Sequence, residues 1–277
     1  MLAFDLTDKI NYLQNAGHSN EELQILEYVR SLGFEAKASQ RVIRPKELDV
    51  YVESKKFAIE FDGTYWHNDE FIPNDRHLEK TIACEQLGIH LMHVFEWEWM
   101  LKQDIVKSMI KTSLGLANRI YARKCAITDV DSKTERVFLE ENHIHGYVPS
   151  SYKLGLSYDG ELVALMTFGK PRFAKSDATE MLRYCCKQSI EVVGGMSKLL
   201  KHSINRFGFT KVLAYCDRSK FTGCSYEKLG FEHIKDTVPN YVWVRMRDFD
   251  IKTEYQTQMK DEDNIMKSNG YVKVYDC

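Results

Sequence analysis

The sequence predicts an α/β protein with two domains, and three observations lead to this expectation. Helix-like and strand-like segments alternate from residue 19 to residue 116. A short basic stretch then interrupts the pattern, and a second series of strands and helices follows it. The 277 residues, of which 44% are hydrophobic, are enough for two domains of ordinary size. We therefore expect domains at 1–117 and 125–247, a basic linker at 118–124, and a polar linker with a terminal strand at 248–277.

The first series begins with a helix whose start and end are both marked. Ser19 stands three residues before Glu22, a spacing typical of a capping box, and Gly33 follows the last apolar position. Runs rich in β-forming residues then predict strands, of which the second and third form a hairpin. The elements expected after the first helix are strands at 34–38, 47–54 and 56–63, a helix at 77–88, a strand at 89–99 and a helix at 104–116.

The second series is richer in strands. It opens with a strand and a helix, and continues with a hairpin at 152–169 whose Asp159–Gly160 pair is typical of a tight turn. Residues 248–270 are polar and contain few large apolar side chains, so their composition predicts a loose linker. The other expected elements are strands at 180–187, 211–218, 240–247 and 270–277, a glycine-led helix at 192–208 and a short helix at 225–231.

The composition excludes several classes of protein. The net charge of −2 and the pI of about 6.5 show no overall basic character, so any surface for nucleic acid must be local. The seven cysteines include no CxxC spacing, which argues against a disulfide framework or a zinc ribbon. No apolar run reaches membrane-spanning length, and the mean hydropathy is −0.41. We therefore expect a cytoplasmic protein without a membrane partner.

Asp49, Glu60 and Asp62 lie within the two strands of the predicted hairpin at 47–63. Side chains alternate between the two faces of a strand, so Asp49 and Glu60 can share one face, with Asp62 beside them. Carboxylates that converge in this way cannot all ionise comfortably without a cation. Mg²⁺ prefers carboxylate oxygens and water, and a substrate phosphate often completes its shell. The pattern predicts a site for Mg²⁺ (or Mn²⁺) on Asp49 and Glu60, although a solvated face of an antiparallel hairpin explains the same spacing.

Several motifs between residues 19 and 115 occur in the order found in a known nuclease superfamily. They are Glu22 on the first helix, ELDVYV at 47–52, AIEFDGTYWH at 58–67 and HLEKTIACEQLGIHLMHVFEWEW at 77–99. With these motifs the chain resembles the PD-(D/E)XK nucleases, and more narrowly their branch of very-short-patch-repair (Vsr-like) and EDxHD phage homing endonucleases. The resemblance implies a mixed sheet flanked by helices and a metal-dependent endonuclease of the homing type. Its partner would be double-stranded DNA, and the chain could also associate as a homo-oligomer.

The resemblance also implies roles for individual residues. Asp49 and Glu60 correspond to the metal-binding acids on the strands, and His67 to a histidine that assists the attack of a metal-activated water. Lys80 is a candidate for contact with the scissile phosphate, because Asp62 replaces the lysine that usually follows the second acid by two residues. The complete set of implied catalytic residues, including acids on the two helices, is Glu22, Asp49, Glu60, His67, Glu79 and Lys80.

Candidate contacts to DNA lie beside the hairpin, in the basic stretch and on loops of the second half. The aromatic candidates could stack on bases, and the lysines and arginines could contact phosphates. Each assignment competes with a simpler explanation, which is packing for the aromatics and solvation for the cations. The candidates are Arg41, Arg44, Lys46, Tyr65, Trp66, Arg119, Arg123, Lys124, Lys170, Arg172 and Lys175, with Arg218 and Lys220 as further loop cations.

Four motifs of the second half are DGELVALMTFG at 159–169, VVGGMSKLLKHS at 192–203, KVLAYCD at 211–217 and SYEKLGFE at 225–232. With them, residues 125–247 resemble the acetyltransferase-like (GNAT) α+β fold. A glycine loop that opens a helix can hold a pyrophosphate, but Glu191 and the spacing around Gly194 and Gly195 depart from the family pattern. We expect this domain to help bind DNA. Two alternatives stay open, an acyl-CoA-dependent DNA-modifying transferase and a non-catalytic DNA-binding module.

Overall fold

The computed structural model describes residues 19–64, 76–173, 176–257, 259 and 261–276, and it shows a mixed α/β protein with several sheets. The chain divides into two compact units. The first contains the residues up to Trp99 together with 218–221 and those from 237 onward, and the second contains 100–217 and 222–236. These bounds differ from the expected 1–117 and 125–247, because the last part of the chain belongs to the first unit.

The first unit is built on a four-stranded mixed sheet in the order β1-β2-β3-β4. Strands β1, β2 and β3 are antiparallel neighbours, whereas β4 lies parallel to β3 and the chain crosses from one to the other through helix α2. The elements are α1 (Asn20–Ser31), β1 (Lys37–Gln40), β2 (Leu48–Val52), β3 (Phe57–Asp62), α2 (Arg76–Gln86) and β4 (His90–Phe95).

Helix α1 begins where the capping signal predicts. The side chain of Ser19 accepts a hydrogen bond from the backbone N–H of Glu22 at 3.1 Å, which satisfies a donor that the first helical turn cannot pair by itself. The helix buries Ile25, Leu26 and Val29, which lie on one side at helical spacing. The apolar side of α1 therefore faces the core.

The end of the predicted strand at 89–99 is wrong, because the chain turns into helix α3 (Glu96–Leu101) directly after β4. The carboxylate of Glu98 reaches back and accepts the backbone N–H of Phe95 at 3.1 Å, in the manner of a capping box. Trp97 stacks on Phe95 with ring centroids 4.6 Å apart, and Trp99 is buried and donates to Gln24. The local bonds of Glu98 thus outweigh the β propensity of the two tryptophans.

The described residues between 248 and 270 also differ from the prediction, since they are folded rather than a loose linker. They contribute to a three-stranded antiparallel sheet, β13-β12-β14, in the first unit. The carboxylate of Glu262 explains how so polar a segment is held, because it accepts hydrogen bonds from the Trp243 indole (2.6 Å), the Tyr241 hydroxyl (2.9 Å) and the Thr257 hydroxyl (2.8 Å). The elements are β12 (Tyr241–Arg245), β13 (Asp250–Thr253), α8 (Glu254–Thr257), α9 (Glu262–Ser268) and β14 (Tyr271–Tyr275).

The second unit contains a five-stranded sheet in the order β11-β9-β8-β7-β6 and a parallel pair, β10-β5. The expected tight turn between β7 and β8 is present, with positive φ at Asp159 (51°) and Gly160 (83°). The elements are α4 (Gln103–Ser113), β5 (Asn118–Tyr121), β6 (Ala126–Thr128), α5 (Ser132–Asn142), β7 (Tyr152–Tyr158), β8 (Glu161–Gly169), β9 (Thr179–Cys186), β10 (Ile190–Val193), α6 (Gly195–Phe207), β11 (Val212–Ala214) and α7 (Cys224–Lys228).

Two features of this unit correct or explain sequence expectations. The stretch at 118–124 is not a linker, since β5 and a following short helix, Ala122–Lys124, lie within the unit. Gly194 precedes α6 with a φ of 76°, and a Cβ on Gly195 would lie 2.8 Å from the Tyr184 hydroxyl. Backbone conformation and close packing therefore account for both glycines.

Among the described residues, no helix is both long enough and apolar enough to cross a membrane.

Candidate active site

The β2–β3 hairpin brings Asp49 and Glu60 to one face of the first sheet. The strands pair Tyr51 with Ala58 and Val50 with Ile59, and the same register continued by one residue sets Asp49 opposite Glu60. An oxygen of Asp49, Oδ2, accepts the backbone N–H of Phe61 at 2.8 Å. The register therefore gives the shared face that the alternation of side chains predicts.

Both carboxyl groups are far less acidic than usual. Burial raises the pKa of Asp49 from its ordinary value of 3.8 to about 7, although the nearby Lys80 ammonium and the Phe61 N–H oppose the increase. Burial also raises the pKa of Glu60 well above its usual range, and the neighbouring charge of Asp49 adds to this effect. Glu60 is only 8% exposed. Two acids are thus held close together where water stabilises their charges poorly.

Lys80 supplies the positive charge beside this pair. It extends from α2, its side chain is 12% exposed, and its ammonium donates a short hydrogen bond to Oε1 of Glu60. The other oxygen of Glu60, Oε2, is buried and has no hydrogen-bond partner among the described residues. Lys80 therefore pairs with only one oxygen of Glu60, and the other buried oxygen could bind a cation.

The other acids implied by the resemblance occupy different positions. Glu22 on α1 lies close enough for its charge to raise the pKa of Asp49. Glu79 instead is mostly exposed and forms an ion pair with Lys46 at 3.0 Å. His67, Tyr65 and Trp66 lie outside the described residues. The structure thus brings Glu22, Asp49, Glu60 and Lys80 together.

A second polar cluster lies at the end of β3. Asp62 is fully buried, and its two oxygens face the Nδ1 atoms of His77 at 3.3 Å and His93 at 2.8 Å. Burial opposes the charge of Asp62, but the two histidines outweigh that effect and hold the pKa of this carboxyl well below its usual range. The three potential ligand atoms all lie within 4.8 Å of one another, so this group could hold a metal ion.

Sequence reasoning did not find this cluster, although a signal was present. His77, Thr81 and Cys84 are the buried residues of α2, at the i, i+4 and i+7 spacing of one helix face. Polar groups on the face that a helix turns to a sheet require partners there. His90 on the same strand is not part of this cluster, because its Nε2 atom lies 2.8 Å from the carbonyl oxygen of Lys220.

The cationic candidates near the hairpin and on the 218–220 loop differ in whether they form ion pairs within the protein. Arg41 forms an ion pair with Glu47 at 2.6 Å, and Arg44 is exposed. Lys220 is not a surface cation as expected, because it is 2% exposed and bonds to Glu98 Oε2 at 2.8 Å. Its role is to neutralise a buried carboxylate rather than to meet phosphate. Arg218 pairs with Glu85 at 2.5 Å.

In the second unit, the cationic candidates differ in their exposure and in their ion-pair partners. Arg119 is exposed and pairs with Glu191 at 3.1 Å. Arg172 binds the fully buried carboxylate of Glu180 through its guanidinium, at 2.8 and 3.0 Å, and so serves a structural purpose. The remaining candidates are Arg123, Lys124 and Lys170, which are exposed, and Lys175, which lies outside the described residues.

Comparison with known proteins adds no assignment. No protein-family model matches the chain, and no curated protein is significantly similar to it. What the chain does must therefore be argued from the residues and their arrangement.

Proposed function

We propose that this protein is a metal-dependent endonuclease that hydrolyses phosphodiester bonds of DNA, with its centre at Asp49 and Glu60. The proposal is supported by the likeness of residues 19–115 to PD-(D/E)XK nucleases of the Vsr-like and EDxHD homing branch. The observation that carries it is the acidic pair of the half-buried Asp49 and the buried Glu60, with Lys80 beside it. Such a pair is costly to keep charged without a cation, and it suits one well.

The donor set fits a hard divalent cation. Carboxylate oxygens of Asp49 and Glu60 are ligands that Mg²⁺ and Mn²⁺ accept, and Oε2 of Glu60 is buried with no hydrogen-bond partner in the described part of the chain. When bound, the cation would lower the pKa of a coordinated water and neutralise charge that develops on the phosphodiester. The carboxylates of Asp49 and Glu60 would hold it, with Glu22 as a further nearby acid.

The protein's own groups prepare this centre for an anionic substrate. The Phe61 N–H fixes the orientation of the Asp49 carboxylate, and the Lys80 ammonium fixes that of Glu60. Lys80 also places a positive charge next to the two acids, where a phosphate would otherwise be repelled. In this proposal Lys80 serves as the phosphate-contacting lysine and extends from a helix, since Asp62 occupies the strand position where the resemblance would place that lysine. His67 remains a predicted proton acceptor on the basis of the resemblance alone.

Nicking of supercoiled plasmid and phage DNA tests the proposal. The purified chain is incubated with Mg²⁺, with Mn²⁺ and with chelator, beside the Asp49→Asn, Glu60→Gln and Lys80→Met variants. We expect cation-dependent cleavage that falls by about a hundredfold or more in the two acid variants, the scale found when a main electrostatic group of an active site is lost. Loss of Lys80 should reduce cleavage while leaving cation dependence in place.

Glu53→Gln is the matched control, because Glu53 is a largely exposed acid that pairs with Lys37 at the turn of the same hairpin. It should cleave at the wild-type rate. Circular dichroism of each variant separates loss of activity from loss of folding. Wild-type cleavage by folded Asp49→Asn would refute the site. Absence of cleavage by the wild-type chain with either cation, on every DNA tested, would refute the activity.

A further inference from the structure

The cluster of Asp62, His77 and His93 is not used by the proposed nuclease mechanism. Asp62 is the last residue of β3, His93 lies on β4 and His77 lies in the first turn of α2. The parallel register sets Glu60 beside His93 and Asp62 beside Phe95, so His93 and Asp62 project from the same face of the sheet. The buried side of α2 adds His77 to that face. Three chain segments thus bring three metal-binding side chains to one point.

The cluster is enclosed by protein. His77 is 3% exposed, and Asp62 and His93 are 0% exposed. The two imidazoles approach different oxygens of the carboxylate through the same type of atom, Nδ1, at 3.3 and 2.8 Å. The rings stand edge to face with centroids 5.1 Å apart. All three side chains therefore direct a potential ligand atom toward a common centre.

We propose that Asp62, His77 and His93 bind a transition-metal cation, with Zn²⁺ as the expected ion, in a buried site whose ligands differ from those of the Asp49–Glu60 pair. Imidazole nitrogen favours zinc and its transition-metal neighbours, whereas Mg²⁺ and Mn²⁺ favour oxygen. Two histidines and one carboxylate form a recurrent ligand set for such ions. The proposal rests on these three residues and does not depend on the nuclease activity.

The surroundings of His93 support a ligand role. Its Nε2 atom lies 3.0 Å from the hydroxyl of Thr81, so the ring can donate Nε2–H to that oxygen while Nδ1 faces Asp62. Histidines that bind metals usually have such a partner on the other ring nitrogen, which fixes the tautomer and the orientation of the ring.

The burial of the three side chains predicts slow release of the bound ion. A cation held by three enclosed side chains can leave only when α2 separates from the sheet, so it should survive gel filtration and be removed slowly by chelators. It should also stabilise the folded chain, because the unfolded chain does not assemble the three ligands. These properties differ from those of a Mg²⁺ ion at the oxygen-only pair, which should exchange readily.

Metal analysis of the untagged full chain tests the proposal. The protein is purified from medium supplemented with Zn²⁺, passed through gel filtration and analysed by inductively coupled plasma mass spectrometry. We expect about one equivalent of zinc per chain, and its loss in Asp62→Asn and His93→Gln. His90→Gln is the matched control, since it removes a histidine of the same strand that binds a carbonyl oxygen and not Asp62. It should retain the metal.

Cobalt binding and thermal melting supply readouts that do not depend on the variants. Co²⁺ added to metal-free wild-type protein should produce visible d–d bands without a thiolate charge-transfer band, which excludes binding by the cysteines. Zn²⁺ should raise the melting temperature of the wild-type chain. Wild-type protein that is folded yet takes up no zinc or cobalt would overturn the proposal, as would equal uptake by folded His93→Gln. Glu60→Gln should keep the zinc while losing cleavage, so this proposal and the nuclease proposal fail by different results.

Discussion

Replacing Asp49 with asparagine should stabilise the metal-free protein at pH 8 more than at pH 5. In the folded chain the pKa of Asp49 is raised to about 7, mainly by burial, whereas in the unfolded chain it returns to about 4. Between these values the folded state binds the proton and the unfolded state does not. Stability must then fall as the pH rises, and the loss is complete above pH 7. Asparagine does not titrate, and its amide oxygen can still accept the Phe61 N–H.

The magnitude follows from the same pKa difference. From pH 5 to pH 7 the wild-type chain crosses about 2 pH units, and each unit corresponds to about 1.36 kcal/mol. The advantage of Asp49→Asn should therefore grow by about 2–3 kcal/mol between pH 5 and pH 8. Relaxation around the charged carboxylate and entry of water lower this figure, so it is an upper limit.

Urea unfolding in chelator at pH 5 and pH 8 measures the difference between variant and wild type. Comparing the two proteins at each pH cancels the titration of groups that do not interact with Asp49. Glu53→Gln, the exposed acid at the turn of the same hairpin, should show the same difference from wild type at both pH values. An advantage of Asp49→Asn that is constant or shrinks toward pH 8 would refute the elevated pKa. Mg²⁺ at pH 8 should stabilise the wild-type chain and not Asp49→Asn.

Two further substitutions, one in each unit, test the internal packing of that unit. Lys220→Met leaves the buried carboxylate of Glu98 without its cation and should destabilise the first unit by about 3–5 kcal/mol in urea unfolding, and adding Glu98→Gln should recover part of the loss. A loss below 1 kcal/mol would show that this pair is not buried in solution. Gly155→Ala places a Cβ against Leu162 and 3.0 Å from Val130, so differential scanning calorimetry should show about 1–3 kcal/mol of destabilisation from overpacking in the second unit. Unchanged stability would mean that the strand can shift to accept the methyl group.

Local signals predicted most of the secondary structure. The capping signal at Ser19, the Asp159–Gly160 turn and the glycines Gly33 and Gly88 after the first two helices all act within a few residues, so they can be recognised in the sequence. Composition failed at 248–270, because Glu262 and its three hydrogen-bond donors hold a polar segment that has few apolar side chains. The strand predicted through Trp97 failed for a related reason, since the hydrogen bond of Glu98 starts a helix there.

The order of residues along the hairpin is enough to establish which of its side chains share a face. The period of a β-strand is two, and this alone sets Asp49 and Glu60 on one side once the strands pair. Which side chains contact these acids depends instead on how the helix and the strands pack together. Lys80 reaches Glu60, and His77 and His93 reach Asp62, because α2 crosses over the sheet and β4 lies parallel to β3. Docking of a helix on a sheet depends on packing over the whole face, and no local pattern of residues specifies it.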